Sequence, residues 1–173
     1  DSDTIKKTIG DYAFYNCPAL SKVDFGNAVK SIGSYSFAVN KLIESIEFPD
    51  SLESIGFGAF TTYTDGYRGS YVENKLKSVK FGKGLKTIGY SAFYRNQKLT
   101  NIEFTGENLT SIGSYAFQDC DSLTELNLKG NGETVINYDA FYRNDALKKI
   151  SLAGIKTIDN SAFRNCRDLN SVN

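Results

Sequence analysis

Carboxylates, thiols and phenols are the reactive side chains of this chain; imidazole is absent, because it has no His. His is the only side chain whose unperturbed pKa lies near neutrality. Its absence excludes Ser-His-Asp and Cys-His catalysis and imidazole ligation of a metal. What remains for catalysis is a carboxylate pair of the glycosidase kind, for which Asp24 and Glu47 are the candidates. Cys17, Cys120 and Cys166 are odd in number and widely separated, so they do not read as a disulfide framework. Asp119-Cys120-Asp121 is too sparse for a calcium loop, and no pattern calls for a cofactor. Binding chemistry concentrates between Phe60 and Leu76, where residues 61–75 hold Tyr63, Tyr67, Arg68 and Tyr71 among Gly, Ser and Thr. Tyr and Arg supply large contact area at modest entropic cost.

These residues are positioned by a repeat. A hexapeptide beginning with Ile, followed by Gly in five copies, and ending in Phe recurs seven times, and its Phe residues are Phe14, Phe37, Phe60, Phe93, Phe117, Phe141 and Phe163. They step by 23, 23, 33, 24, 24 and 22 residues. A second pattern, L-x-x-I-x-F, recurs in phase as Leu20, Val23, Phe25, then as Ile43, Ile46, Phe48, and so on to Leu147, Ile150, Leu152. Its alternation and β-branched content predict a short strand with one face inward. A third apolar pair before most hexapeptides, such as Leu85 and Ile88, predicts an extended segment on the opposite side of each coil. The stretch around each Phe suits one helical or 3-10 turn, with Gly-containing corners. The sixth and seventh hexapeptides carry Asn137 and Asp159 in place of Gly. Both types tolerate a left-handed backbone.

No such unit buries its own apolar side; stacking makes one continuous core. The expectation is therefore a repeat solenoid, a single domain over residues 1–173 of about seven repeats of 22–24 residues, with an insertion loop at 61–75. The Phe residues should form an inner column. Three residues after each Phe stand Cys17, Asn40, Tyr63, Asn96, Cys120, Asn144 and Cys166. An Asn amide can satisfy buried backbone groups at that turn, and a Cys packs and bonds weakly, so the thiols read as structural. Cys120 and Cys166, two repeats apart, are about 9–10 Å from each other at strand spacing, too far for a bond.

Outward strand positions form two columns. One runs Lys22, Ser45, Ser78, Asn101, Glu125, Lys149; the other runs Asp24, Glu47, Lys80, Glu103, Asn127, Ser151. Such a face can recognise a partner, yet it holds no aromatic residue and no Arg, the usual anchors. Glu47, Lys80 and Glu103 in succession look like a charge ladder rather than a catalytic cluster, so an enzyme is not expected. Asn108-Leu109-Thr110 fits a glycosylation acceptor, although Leu109 belongs to the buried pattern.

The form L-x-x-I-x-F followed by L-x-x-I-G-x-x-A-F-x-x-C/N resembles the BspA-like, or Treponema-type, leucine-rich repeat family over essentially the whole chain. The resemblance implies a curved solenoid with parallel strands. It also implies a bacterial cell-surface or secreted protein of adhesion or host interaction, some members binding extracellular matrix. The partner so implied is a protein or a glycan; the alternatives are a spacer without its own ligand or a carbohydrate-active β-solenoid. Twenty basic residues balance twenty acidic ones, which gives no electrostatic reason to expect nucleic acid. No apolar run spans a bilayer. The chain starts at Asp1 and stops inside a strand pattern, without polar caps at either end. The expectation is a segment of a longer array, or one that self-associates through its ends.

Overall fold

The computed structural model describes residues 7–63 and 72–173. Its strands follow one another as β1 (Lys7–Ile9), β2 (Val29–Ile32), β3 (Ser45–Glu47), β4 (Ser54–Ile55), β5 (Ser78–Phe81), β6 (Thr87–Ile88), β7 (Asn101–Phe104), β8 (Leu109–Ile112), β9 (Glu125–Ile136), β10 (Lys149–Ile158) and β11 (Ser171–Val172). All pairings are parallel, and each joins equivalent residues of successive coils, as in Ile55 with Ile88 and Val79 with Ile102. The chain is a parallel β-solenoid of about seven turns. The L-x-x-I-x-F strands β3, β5 and β7 stack on one side. The shorter strands that precede the hexapeptides stack on another, in the order β1, β2, β4, β6, β8. Strands β9 and β10 turn the corner without a break and belong to both sides, with register shifts where they bend. The earlier corners are cut by Gly26, Pro49 and Gly82 immediately after the strand's last aromatic residue.

The expected helical or 3-10 turn is not there: no helix occurs among the described residues. The reason is a left-handed residue at every fourth position of the third side. The fourth residue of each hexapeptide has φ near +55°, as in Tyr12 (56°), Tyr35 (52°), Gly58 (55°) and Tyr115 (59°). In six of the seven coils so does the residue two after the Phe, as in Arg95 (62°) and Asp119 (56°). A right-handed helix cannot pass through such residues. Single i to i+3 turns form instead, for example from the Tyr94 N–H to the Ser91 carbonyl at 3.1 Å. The alternate N–H groups point along the solenoid. Ser91, Phe93 and Arg95 donate to the carbonyls of Ser114, Ala116 and Gln118 at 3.0, 2.8 and 2.9 Å. The turns of neighbouring coils are thus laced into a third backbone ladder.

The hexapeptide Gly is not the left-handed residue, which corrects the expectation drawn from Asn137 and Asp159. Gly33, Gly56, Gly89 and Gly113 have no positive φ. They are small because the previous coil is close: a Cβ at Gly89 would stand 2.7 Å from the carbonyl carbon of Gly56. Asn137, which does carry a Cβ, follows a register shift in the pairing of β8 with β9. Its amide donates to the Ile112 carbonyl at 2.7 Å.

The Phe column forms as expected. Successive rings from Phe14 to Phe163 lie 5.0–5.2 Å apart, and the five pairs from Phe37 onward are within 7° of parallel. A second column, Phe25, Phe48, Phe81 and Phe104, meets the first edge-on at Phe37, Phe60 and Phe93. Each fully buried side chain of this kind contributes roughly 1.5–3 kcal/mol, and each ring pair about 0.5–1.5 kcal/mol more.

Gly89→Ala should lower the unfolding free energy by about 1–3 kcal/mol, because the new methyl meets backbone that cannot rotate away. Urea titration measures this; an unchanged midpoint would show that the coils are not in close backbone contact at this corner.

Candidate functional site

The strand-face columns line up in part. Ser45, Ser78 and Asn101 are in register, as are Glu47, Lys80 and Glu103. Glu125 pairs with Lys149, and Asn127 with Ser151. Lys22 and Asp24 precede this sheet without forming a strand of their own. The Lys80 ammonium lies 2.7 Å from Glu47, and the Glu47 carboxylate raises the Lys80 pKa from its ordinary value. Exposed pairs like this contribute little, about 0–1 kcal/mol. The candidate catalytic carboxylate Glu47 thus has a cation beside it, and its candidate partner Asp24 lies outside the strand.

The Asn and Cys column forms, and its role is visible. Asn96 donates to the Phe93 carbonyl of its own coil at 2.7 Å and to the Phe60 carbonyl of the coil before at 3.0 Å. Asn40 bridges Phe14 and Phe37, and Asn144 bridges Phe117 and Phe141, in the same way. Of the Cys in this column, two reach back to the Phe carbonyl of the coil before, Cys120 to Phe93 at 3.4 Å and Cys166 to Phe141 at 3.3 Å, while the Cys17 thiol meets the Tyr15 carbonyl of its own coil. Burial pushes the Cys120 thiol well above the ordinary range and raises Cys166 to about 11. Tyr63 departs from the column: it is exposed, at the start of the insertion. Asn74 approaches from the far end of the insertion and donates to the Asn96 Oδ1 at 2.5 Å. The insertion closes where the Val72 N–H meets the Thr62 carbonyl. Tyr67, Arg68 and Tyr71 lie outside the described residues. The acceptor motif at Asn108 contains the buried Leu109, and the Asn108 amide donates to the Lys83 carbonyl. Asp119, flanking Cys120, is buried between Arg95 and Arg143 at 3.3 and 3.4 Å.

The surface with most binding chemistry lies elsewhere, on the turn side. The two variable positions of the hexapeptide, third and fourth, carry one aromatic ring in each of six successive coils: Tyr12, Tyr35, Phe57, Tyr90, Tyr115 and Tyr138. Their centroids are 5.0–5.6 Å apart, and the ladder is unbroken. Tyr12 is 50% exposed, Tyr90 44% and Tyr138 39%. Neighbours using the same position stack, Tyr12 on Tyr35 at 20° and Phe57 on Tyr90 at 6°. Neighbours that switch position meet edge to face, at 63° for Tyr35 with Phe57, 68° for Tyr90 with Tyr115 and 81° for Tyr115 with Tyr138. The sequence held the signal, one aromatic at either of two adjacent positions. It is missed when a column is sought at one fixed position. Beside the ladder, Tyr63 and Tyr94 meet at 6.1 Å and border a shallow groove with Tyr35, Phe57, Tyr90 and Tyr115.

A register of parallel strands, a Phe spine and an Asn or Cys bridge define a leucine-rich repeat solenoid. The model of the BspA type leucine rich repeat region matches residues 3–65 and 67–173, in six copies, and the chain belongs to that family. The T. pallidum leucine rich repeat protein is similar in structure, with a TM-score of 0.77 at 24% identity, over 94% of this chain and 71% of that one. A leucine-rich repeat protein from Bacteroides ovatus gives 0.62 at 23%, over 96% of this chain and 46% of that one. The pneumococcal vaccine antigen PcpA gives 0.55 at 24%, over 96% and 48%. The chain thus spans about half the length of the latter two proteins. No curated protein matches it by sequence. Among the described residues no helix is long and apolar enough to cross a membrane.

The thiols give a pH prediction. With the folded Cys166 raised to about 11 and a free thiol near 8.5, the native state holds its proton more tightly than the unfolded one. The thiol contribution to stability is then unaffected below about pH 8 and lost as pH rises from there toward 11. Iodoacetamide at pH 8 should leave Cys120 and Cys166 unmodified in the native protein and label both in urea, with peptide mass mapping as readout. Rapid native labelling of Cys120 would contradict a structural role.

Proposed function

We propose that this chain is a non-catalytic binding module, displayed on a cell surface or secreted, whose ligand, a protein or a glycan, lies on the turn side of the solenoid. The observation that carries this reading is the continuous aromatic ladder from Tyr12 to Tyr138, exposed at Tyr12, Phe57, Tyr90 and Tyr138 and half-buried at Tyr35 and Tyr115. Aromatic residues are the usual anchors of recognition surfaces, and an unbroken exposed patch of them marks such a surface more often than chance scatter does. Backbone strain supports it. Tyr12, Tyr35 and Tyr115 hold a bulky side chain at φ of 52–59°, a conformation that costs about 1–2 kcal/mol for an L residue, at a position where Gly58 sits freely. Rings retained against that cost point to use at the surface.

The insertion is part of the same proposal: its described end Tyr63 touches Tyr94 beside the ladder, and Tyr67, Arg68 and Tyr71 are included by their residue types alone. The strand-face residues Lys22, Asp24, Glu47, Lys80, Glu103 and Glu125 are assigned to solvation and charge balance. Non-catalytic character rests on the missing His and on Glu47 being held by Lys80. Display outside the cell draws support from relatives of the same fold, among them a leucine rich cell surface protein of Faecalibacterium prausnitzii.

Arrays of extracellular proteins and of glycans test the reading. Capture by at least one array is expected, and the double variant Phe57→Ser, Tyr90→Ser should lose at least about tenfold in apparent affinity, while Glu47→Gln, Lys80→Gln retains it. Equal capture of the ladder variant would move the site elsewhere. No capture on either array would leave the spacer reading in place.

A further inference from the structure

Strand β9 bends at the corner between the two strand sides, through Gly130, Asn131, Gly132 and Glu133. Asn131-Gly132 is the one Asn-Gly step of the sequence, and Asn131, Gly132 and Glu133 are all exposed. Gly132 has a φ of +87°, and a Cβ on it would touch nothing. Gly132 pairs with no residue of β8 or β10, so its N–H is left to solvent. The Asn131 Oδ1 accepts the Glu133 N–H at 2.9 Å. The Asn131 N–H donates to the Thr134 hydroxyl at 3.2 Å. Thr134 is fully buried, and its hydroxyl donates to the Leu109 carbonyl. It also stands 3.3 Å from the Asn131 Oδ1, but a hydroxyl has one proton to give, and the Leu109 carbonyl is the closer acceptor. The Asn131 backbone is thus anchored to the core, while its side chain is folded over the residues that follow.

We infer that Asn131 is a self-modification site, independently of where the module binds its ligand: the Gly132 nitrogen closes a succinimide on the Asn131 side chain, and water opens it to aspartate or isoaspartate. The atoms balance without a cofactor or an oxidant. The Gly132 nitrogen gives its proton to a solvent base and bonds to Cγ; the bond from Cγ to Nδ2 breaks, and ammonia leaves with a proton from water. One water then cleaves the imide. Cleavage at Cγ leaves aspartate on an unchanged main chain, and cleavage at the backbone carbonyl leaves isoaspartate, with the main chain routed through Cβ and Cγ. Three features of the corner select this step. First, the attacking nitrogen belongs to a Gly, without a side chain to crowd it, and is unpaired. Second, the ring closed by the hydrogen bond from Glu133 to Oδ1 contains both Cγ and the Gly132 nitrogen, which keeps the reacting atoms near each other. Third, the Glu133 N–H sits on the oxygen where negative charge develops as the nitrogen adds, as a donor to an oxyanion does. Other Asn amides are spent on structure: Asn40, Asn96 and Asn144 on Phe carbonyls, Asn108 on Lys83 and Asn137 on Ile112. Each of these is followed by a residue with a side chain. Isoaspartate at position 131 would add a carbon to the main chain between Gly130, paired with Leu109, and Val135, paired with Ser111.

Ageing the native chain at pH 8 and at pH 6, followed by peptide mass mapping and by an isoaspartate methyltransferase assay, tests this. Conversion at Asn131 should outrun conversion at every other Asn at least about tenfold, and should be faster at pH 8 than at pH 6, because the nitrogen must lose its proton. Gly132→Ala, whose methyl crowds the attacking nitrogen, should slow it at least about tenfold. Asn131→Gln, which would need a larger ring, should abolish it with an unchanged circular dichroism spectrum. The same chain in urea, where the Glu133 N–H no longer holds Oδ1, should convert at Asn131 no faster than the native chain. Earlier conversion at a different Asn would overturn the inference. So would faster conversion at Asn131 in urea than in the native chain, since the fold would then protect this amide instead of presenting it.

Discussion

Successive coils of this molecule are tied by backbone hydrogen bonds on as many as three sides, and the third of these ties governs the rest. Strands meet the requirement on two sides in the ordinary way, one N–H to one carbonyl across a parallel pair. On the turn side the chain is not extended, yet the N–H groups of alternate residues still reach the neighbouring coil at 2.7–3.3 Å. A buried peptide group left without a partner costs about 1–3 kcal/mol, and a helix would have pointed these donors inward along its own axis. The left-handed residue at every fourth position turns them outward instead. Register, coil spacing and the parallel stack of Phe rings follow from that lacing: rings on equivalent backbone, 5.0–5.2 Å apart, have no choice but to be nearly coplanar with one another.

The same constraint separates what could be read in the sequence from what could not. The Phe column and the strand columns are legible because each uses one fixed position per repeat, and translation of one coil onto the next is enough to place them. The Asn and Cys bridge is legible for the same reason, since its chemistry demands one residue type at one spot. The turn conformation was not legible. Left-handed positions are held by Tyr, Ser, Asp, Arg, Asn and even Val39 (φ 63°), so no Gly pattern marks them, and the Gly that recurs in five of the hexapeptides serves close approach instead. The aromatic ladder escaped because it slides between two neighbouring positions from coil to coil. Register identifies side chains by position, whereas the ladder preserves only the location of a ring in space.

The insertion shows how a repeat array absorbs extra residues without losing its core. The chain leaves the coil at Tyr63 and is back by Asn74, with Thr62 and Val72 joined at the neck. At the displaced column position the Asn96 carbonyl oxygen would lack its donor, and the Asn74 amide supplies it. Leu76 is then back in the core at 2% exposure. Loop closure grows slowly in cost with length, so the constraint on such an insertion lies in satisfying the interrupted hydrogen bonds at its base, more than in its size.

The two outer faces consequently differ in kind. On the strand face, charges alternate and pair between coils, Glu47 with Lys80 and Glu44 with Lys77. On the turn face, the described part of the groove is uncharged and its rings are fixed by one another and by the backbone beneath them. A side chain already locked in place loses little entropy when a ligand arrives. Repetition of the backbone therefore does for this face what a rigid scaffold does for a binding loop, and a change of position as small as Tyr35 to Phe57, fourth residue to third, suffices to turn one ring edge-on to the next.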